Sequence, residues 1–306
     1  LYTDGTLIAY GVLGLPGPHD ASFADELGLA EPVRARAANI DGASVKSEWR
    51  GNGLHQLLIA WRLRWALEAG RPVALSTVAP ANLPSLRNLL AEGLTIPLED
   101  FTAAVQDPSK YGVSAPTLEG WLFPAMYTFD PGITAEGVIQ RLVVRTIQAL
   151  DEAGVPAEDR QRVLTVASII QREARFEEDF YKVSRVIQNR LDPGNQETFG
   201  YLQMDSTAQY GFGQLHDGSA STSEEAQHDD NDWNTYVRQG LPIGPIASSG
   251  TQAIDAAMHP ADGPWLYFVT VNMDTGETVF TKTYNEHLKY VKQMQNWCAD
   301  NPDSGC

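Results

Sequence analysis

Three helix patterns that follow one another between residues 135 and 191 constrain the fold more than any other feature of the chain. The segments 135–154, 157–176 and 180–191 repeat apolar residues at intervals of three and four. This is the period of an α-helix that buries one face. The sequence therefore predicts three successive helices in this part of the chain.

Glu173 lies near the end of the second of these helices, three residues after Ile170 and four after Ile169. It therefore faces much the same side as the apolar stripe. A carboxyl group there loses hydration, which raises its pKa and makes it a proton donor near neutral pH. Cleavage of a glycosidic bond needs such an acid at the leaving oxygen. The periodicity leaves a second interpretation open, in which Glu173 only pairs with an arginine at the helix edge. Its charged neighbours are expected to point to water: Arg172, Arg175, Glu177 and Glu178.

Strand patterns occur on both sides of these helices. Runs of β-forming residues predict strands at 6–15, 34–45 and 72–78, and Asp274-Thr275-Gly276 predicts a hairpin turn between strands at 265–272 and 278–283. Further helices are predicted at 22–29, 54–69, 82–91, 98–104, 251–259 and 285–297. The apolar face of the helix at 54–69 is expected to comprise Leu57, Leu58, Trp61, Leu63, Trp65 and Leu67. The pattern as a whole predicts an α+β fold.

The charge of the chain limits the classes of function. The 306 residues carry a net charge of −17, of which residues 96–306 carry −16 and residues 1–95 only −1. Such an asymmetry indicates two units of different origin. An acidic chain lacks the basic surface that displaces counterions from phosphates, which excludes a nucleic-acid partner.

Cys298 and Cys306 are the two cysteines of the chain, and no histidine or second cysteine pair completes a zinc site. They either close a small disulfide loop or stay as unpaired thiols. We predict no metal and no cofactor. No stretch approaches the roughly 20 apolar residues of a membrane span. The chain begins at Leu1 rather than at a methionine, which indicates a trimmed chain or a missing N-terminus.

Six segments follow one another in an order typical of one enzyme family. They are LEGWLFPAMY (118–127), ASIIQREA (167–174), VIQNRL (186–191), LQMDSTAQYG (202–211), WNTYVRQGLPIGPIASSG (233–250) and YFVTVNMDTGETVFTKTYNEH (267–287). On these motifs, residues 96–306 resemble the endolytic murein transglycosylases of the MltG or YceG-like family, in an actinobacterial form. The resemblance implies a mixed α/β catalytic domain, here a lytic transglycosylase (a carbon–oxygen lyase).

The resemblance also implies the chemistry. The family cleaves the bond between N-acetylmuramic acid and N-acetylglucosamine in peptidoglycan strands, and the C6 hydroxyl of the muramoyl sugar attacks its own C1 to leave a 1,6-anhydro end. One carboxyl group can serve as acid and then as base. The family's catalytic glutamate corresponds to Glu173, and its frequent second glutamate corresponds to Gln171, which cannot exchange a proton. Glu173 is therefore predicted to be the sole acid/base.

Further matched positions are candidates for contacts with sugar hydroxyl and acetamido groups. They are Glu119, Asn189, Gln203, Asp205, Thr207, Asn234 and Tyr236. Gln203, Asp205 and Thr207 are expected on a strand-to-turn element. Each candidate has a structural alternative, such as helix capping for Asp205 and Thr207 or a buried salt bridge for Glu119. Pro242, Gly244 and Pro245 are expected to fix a loop.

Residues 1–95 differ from that family. The segments EWRGNGLHQLLIAW (48–61) and VALSTVAPANLPSLRNLLAEGL (73–94) resemble part of a GNAT acetyltransferase, which predicts a partial GNAT-like αβ segment for residues 1–95. In that family the backbone amides at a helix start hold the pyrophosphate of acetyl-CoA. Arg50 and Gly53 match that motif, and Asn82 matches another cofactor-side position, so these three are the candidates for binding acetyl-CoA. His55 stands where the family has glycine or alanine.

Three functions stay open on the sequence. The first is the transglycosylase, the second an acetyl-CoA-dependent N-acetyltransferase, and the third a peptidoglycan-binding protein without activity. The expected partners are peptidoglycan strands and, by family analogy, the peptidoglycan synthesis machinery. The C-terminal resemblance implies an extracytoplasmic location at the cell membrane, with no membrane anchor visible in this chain, whereas the N-terminal resemblance implies the cytoplasm.

Overall fold

The structure is a computed structural model of the 306-residue chain. It describes residues 2–3, 6–7, 9–15, 35–45, 54–70, 73–76, 96–125, 127, 129, 132–213 and 222–301. The acetyl-CoA candidates Arg50, Gly53 and Asn82 lie outside the described residues, as do the helices predicted at 22–29 and 82–91.

The chain divides into two compact units. One comprises Leu1–Gln106 with Thr128–Val138, and the other comprises Asp107–Tyr127 with Ile139–Cys306. The domain boundary between residues 95 and 96, and the GNAT-like character of the first segment, stay predictions.

The first unit contains two small sheets. Strands β1 (Tyr2–Thr3) and β2 (Thr6–Leu7) form an antiparallel pair. Strand β3 (Ala9–Gly14) is antiparallel to β4 (Ala37–Val45), which is parallel to β5 (Val73–Ser76). The strands predicted for this part of the chain are therefore present, with shorter bounds.

Helix α1 (Leu54–Glu68) packs against β3 and β4, and α2 (Leu98–Ala104) has the predicted bounds. The predicted apolar face of α1 is wrong. Leu58 and Ile59 are buried, but the larger part of the expected face is exposed, namely Leu57, Trp61, Trp65 and Leu67. The apolar residues of α1 are distributed around the helix rather than along one stripe, so the sheet can cover only some of them.

The second part of the chain is mainly helical. The helices are α3 (Ala135–Glu152), α4 (Arg160–Glu173), α5 (Glu177–Leu191), α6 (Asp205–Phe212), α7 (Glu224–His228), α8 (Thr251–Met258) and α9 (Tyr284–Asp300). None of the helices in the described ranges is long and apolar enough to cross a membrane.

Helix α4 is the central element of the second unit and packs against α5, α6 and α8. Every residue from Val163 to Ile170 is buried. A 3₁₀ turn at Ala157–Asp159 precedes α4, and Ala174 leaves the helix with an extended backbone (φ −113°, ψ 141°). The helix is therefore shorter than the predicted 157–176, and Glu173 is its last residue.

A β-hairpin and the last helix close the second unit. Strand β6 (Tyr267–Asn272) is antiparallel to β7 (Glu277–Thr281), and α9 packs against both strands. The predicted hairpin is confirmed; in its turn the side chain of Asn272 accepts hydrogen bonds from the backbone N–H groups of Asp274 and Thr275. Cys298 on α9 is disulfide-bonded, whereas Cys306 lies outside the described residues.

Gly120 brings the motif at 118–127 against the motif at 233–250. Its φ is +79°, and a Cβ atom at this position would lie 2.6 Å from Cβ of Pro245. Real Cβ atoms do not approach a neighbour this closely, so a side chain here would force the backbone apart. The contact requires glycine on two counts, the left-handed backbone and the lack of space.

We expect the substitution Gly120→Ala to lower the free energy of unfolding by about 2–4 kcal/mol, because it adds a steric clash to the backbone strain. The matched control is Gly154→Ala. Gly154 also has a positive φ (+70°) but nothing within 4 Å of its Cβ direction, so only the strain of about 1–2 kcal/mol applies. Urea denaturation measures both losses, and equal losses would contradict the close contact.

Candidate active site

The carboxyl group of Glu173 lies where the end of α4 meets the start of α6. Its Oε1 accepts two hydrogen bonds from Ser206, one from the backbone N–H at 3.0 Å and one from the hydroxyl group at 2.6 Å. Ser206 is the second residue of α6, and the first N–H groups of a helix have no partner within the helix. The start of α6 therefore supplies a backbone donor to the carboxyl group at the end of α4.

Burial dominates the electrostatics of Glu173. It raises the pKa of the carboxyl group from 4.5 to about 6, and the neighbouring Asp205 carboxylate raises this pKa as well. The two hydrogen bonds from Ser206 and the positive charge of Arg190 oppose the shift, because both favour the charged form. A carboxyl group with this pKa can donate a proton near neutral pH and accept one back.

Asp205 and Tyr236 form a pair beside Glu173. The hydroxyl group of Tyr236 donates a hydrogen bond of 2.5 Å to Oδ1 of Asp205. Burial, and then the Asp205 carboxylate, raise the pKa of Tyr236 far above its usual 10, so the phenol keeps its proton. Asp205 is thereby held as a hydrogen-bonded negative neighbour of Glu173.

Gln203 combines an exposed side chain with an unusual backbone. Its φ is +47°, one of two positive values among the described non-glycine residues, and its N–H donates to the carbonyl of Thr235 at 3.0 Å. Such a conformation in a residue other than glycine is uncommon and persists only where the surroundings impose it. The amide of Gln203 is thus presented to solvent two residues before Asp205.

The predicted strand-to-turn element is wrong in its second half. Asp205 and Thr207 belong to helix α6, which begins at Asp205. Neither residue is the N-cap, which is Met204. The hydroxyl group of Thr207 donates to the carbonyl of Met204 at 2.7 Å and contacts the hydroxyl of Thr235 at 2.8 Å. These contacts tie the first turn of α6 to the segment at Thr235.

Two of the predicted substrate contacts are fully buried. Thr207 and Asn234 are both 0% exposed. The side-chain amide of Asn234 donates to the carbonyls of Ala226, Gln227 and Asp229, at 2.7–3.1 Å. These groups organise the loops around the site and have no surface to offer to a ligand in this conformation.

Asn189 and Glu119 have partners outside the Glu173 cluster. The amide of Asn189 donates to the carbonyls of Gly263 and Trp265, at 3.1 and 2.8 Å, and so fixes the segment before β6. Glu119 is part-buried, and its Oε2 accepts a hydrogen bond of 3.3 Å from the hydroxyl of Tyr210 on α6. Glu119 therefore joins its motif to α6 through Tyr210.

Gln171 and Arg172 precede Glu173 on the last turn of α4. Oε1 of Gln171 accepts a hydrogen bond of 3.1 Å from the backbone N–H of Gly250. Gln171 thus shapes the loop before α8. Arg172 does not point fully to water as predicted, since it is part-buried and burial lowers its pKa. Arg175, Glu177 and Glu178 are exposed, as expected.

A cleft of about 240 Å³ lies along the segment that follows Asn231. Its lining residues are Asp232, Trp233, Asn234, Thr235, Arg238, Gln239, Leu241, Pro242 and Ile243. The cleft is next to Tyr236 in the chain, but its lining does not include Glu173. No group of three or more potential metal-ligating side chains occurs among the residues that the structure describes.

The sequence matches the profile of the YceG-like family over residues 62–293, which is most of the chain. The chain belongs to the YceG-like family. The match begins at Arg62, inside the segment predicted to be GNAT-like, and it contains all the candidate residues around Glu173.

Two relatives of this YceG-like chain carry the name endolytic murein transglycosylase. The protein from Bacillus subtilis (strain 168) is 36% identical over 177 residues, which are 56% of this chain and 46% of the relative. The protein from Streptococcus pneumoniae serotype 2 (strain D39) is 26% identical over 227 residues, which are 68% of this chain and 40% of the relative. The matched part of this chain thus corresponds to less than half the length of these curated relatives.

A solved structure supports the fold. The 2.6 Å crystal structure of a protein from Listeria monocytogenes, named as yceG-like, superposes with a TM-score of 0.55 at 29% sequence identity. The match covers 70% of this chain and 76% of that one. The α+β fold of the YceG-like part, with its helices and separate small sheets, is therefore confirmed.

Ser206 and Arg190 were not among the residues singled out from the sequence, although both lie inside quoted motifs. Ser206 was missed because the start of α6 was interpreted as a turn, which hides the unpaired N–H groups of a helix start. A basic residue at a helix end, such as Arg190, is ordinarily a surface residue, and the sequence carries no signal that it is buried.

We expect Glu173→Gln to raise the free energy of unfolding by about 1–2 kcal/mol at pH 7.5. The pKa of Glu173 is raised from 4.5 to about 6 in the folded chain, so ionisation at higher pH costs stability. The free energy of unfolding is therefore expected to fall as the pH rises from 4.5 to above about 6, because Glu173 ionises more readily in the unfolded chain. At pH 4 both side chains are neutral and the gain should vanish. Urea denaturation at the two pH values measures it, and a loss of stability at pH 7.5 would contradict the raised pKa.

Proposed function

We propose that this chain is a lytic transglycosylase that cleaves the glycosidic bond between N-acetylmuramic acid and N-acetylglucosamine in peptidoglycan, with Glu173 as its single acid/base. The observation that carries the proposal is the part-buried carboxyl group of Glu173, held by Ser206 with a pKa of about 6. The names of the Bacillus and Streptococcus relatives support the same substrate.

The proposed reaction needs one proton-exchanging group. Protonated Glu173 gives its proton to the glycosidic oxygen as the bond from C1 to that oxygen breaks, and the N-acetylglucosamine side leaves with a free hydroxyl group. The C6 hydroxyl of the muramoyl sugar bonds to C1 and gives its hydrogen to the Glu173 carboxylate. The product is a 1,6-anhydro end, and Glu173 returns to its protonated form without the second carboxylate that hydrolysis by water requires.

The neighbours of Glu173 fit this double role. Asp205 favours the protonated form of Glu173 before the reaction, and the donors of Ser206 stabilise the carboxylate after its proton has left. Asp205 and Ser206 thus favour opposite charge states of Glu173. Neither the protonated form nor the carboxylate is stabilised so strongly that Glu173 cannot both donate a proton and accept one back.

Gln203 is the strongest candidate for a contact with the sugar, since its exposed amide lies two residues before Asp205. Among the other predicted contacts, Tyr236 and Glu119 keep part of their surface open, but both are already hydrogen-bonded. Because peptidoglycan lies outside the cytoplasm, we expect the proposed activity there, and the peptidoglycan synthesis machinery stays a predicted partner.

Glu173→Gln should abolish the formation of 1,6-anhydro ends, with a loss of at least about 10³-fold in kcat, because the amide cannot donate the proton. Intact glycan strands are incubated with the full chain, and the ends are counted by mass spectrometry. The matched control is Glu178→Gln, which makes the same change at an exposed carboxylate on α5 and should keep the activity. Persistent anhydro ends in the Glu173 variant would exclude it as the acid/base.

Gln203→Ala should lower kcat/KM by about 10-fold, the effect of roughly one lost hydrogen bond to the substrate, while the melting temperature changes little. The melting temperature should change little for two reasons. The side chain of Gln203 is exposed, and glutamine and alanine carry a similar strain at the positive φ of this residue. Steady-state kinetics on soluble glycan fragments measures the effect. Unchanged kcat/KM would remove Gln203 from the substrate contacts.

A further inference from the structure

Arg190 is a buried cation at the end of α5. Its side chain is almost wholly enclosed, with the residue only 6% exposed. Its guanidinium carbon lies 5.1 Å from the ring centroid of Tyr267, over the ring face. Taking a charged group out of water is costly, so its contacts have to compensate for the lost hydration.

The guanidinium group of Arg190 bonds to two backbone carbonyls that are far apart in the sequence. Nε donates to the carbonyl of Leu266, just before β6, at 2.6 Å, and Nη1 donates to the carbonyl of Leu202. The planar fork of arginine can hold two acceptors at fixed angles, which a lysine ammonium group cannot do. Arg190 therefore fixes the segment at Leu202 relative to α5 and the hairpin.

The segment at Leu202 leads directly into the Glu173 site. Gln203 follows it with its positive φ, and Ser206, four residues after Leu202, donates both hydrogen bonds to Glu173. A displacement of the Leu202 carbonyl would therefore move the start of α6 and the two donors with it. The backbone conformation at Gln203 leaves little freedom to absorb such a displacement.

Within the part of the chain that the structure describes, the charge of Arg190 is not neutralised by a close carboxylate. Across the described ranges, no aspartate or glutamate oxygen forms a salt bridge with it. Its positive charge instead acts on Glu173 and Tyr236 at longer range. In a poorly hydrated interior such a charge is screened less than on the surface.

We propose that Arg190 is a positioning residue of the active site: it holds the Leu202 carbonyl so that Ser206 faces Glu173, and it supplies a buried positive charge that acts on the Glu173 carboxyl group. The inference deepens the proposed function and rests on it. Arg190 touches no reacting atom, and it acts through Ser206 and through its charge.

The charge balance at Glu173 involves each element that packs around it. Asp205 on α6 raises the pKa of Glu173, while Ser206 on α6 and Arg190 on α5 lower it. Arg172, on the same helix as Glu173, and Tyr236, on the loop after Asn231, also interact with its charge. Removing Arg190 alone leaves Asp205 less opposed, so the pKa of Glu173 should move upward.

Two variants separate the two parts of this role. Arg190→Lys keeps the positive charge but loses the fork, so kcat should fall about 10- to 100-fold, in line with a shift of up to 1 Å at a catalytic group. The pKa of Glu173 should stay near 6 in this variant. Arg190→Met loses both the fork and the charge, so kcat should fall at least as far and the pKa should rise.

The pKa of Glu173 is read from the backbone amide signal of Ser206, which donates to the carboxyl group and therefore follows its ionisation in ¹H–¹⁵N NMR spectra. The matched control is Arg185→Met on the same helix. Arg185 also donates to backbone carbonyls, those of Pro260 and Ala261. Its charge is not among the causes of the raised pKa of Glu173. This control should keep both kcat and the midpoint of the Ser206 titration.

Wild-type kcat in Arg190→Lys would overturn the proposal, even if Arg190→Met does not fold. An equal loss of kcat in Arg185→Met would overturn it too. Any arginine of α5 that binds backbone carbonyls would then have the same effect. The NMR midpoint does not depend on turnover. If the wild-type chain forms no anhydro ends while the Ser206 midpoint still shifts in the Arg190 variants, the proposed function fails and the positioning role survives. If the wild-type chain is active and the Arg190 variants match it in kcat and in midpoint, the positioning role fails and the proposed function survives.

Discussion

The carboxyl group of Glu173 depends on a balance between lost hydration and a small number of donors. Burial favours its neutral form, and the two hydrogen bonds from Ser206 favour its charged form. With more donors the group would be a permanent carboxylate, and with none it would stay neutral at physiological pH. The intermediate pKa therefore requires the start of α6 to lie at one defined position relative to the end of α4.

The surrounding loops are held at that position by side chains that bond to backbone. Ser168 and Gln171 on α4 accept hydrogen bonds from the N–H groups of Ile246 and Gly250. The side-chain amide of Asn234 donates to the carbonyls of Ala226 and Gln227 in α7 and of Asp229 just after it. The hydroxyl group of Thr235 accepts a hydrogen bond from the N–H of Met204 just before α6. Most polar side chains near Glu173 thus serve the geometry of the backbone, and few are left to meet a substrate.

This division explains what the sequence could predict. The helical period placed Glu173 on a desolvated face, and the hairpin turn followed from local chemistry that acts within a few residues. The period also located most of the helices, but it made α4 too long at both ends and did not find α6. The partners of Glu173 could not be predicted in this way, because Ser206 and Arg190 reach it only through tertiary packing. For the same reason Asn234 and Thr207 were interpreted as possible sugar contacts, although folding buries both completely.

The contact between Gly120 and Pro245 has a consequence for how such chains can diverge. The two residues are 125 positions apart in the sequence, yet no atom can be added at Gly120 while the ring of Pro245 stays in place. A larger residue at Gly120 would need a change at Pro245, and it would still carry the strain of the left-handed backbone. In related chains, a residue other than glycine at position 120 should therefore occur only together with a substitution at position 245.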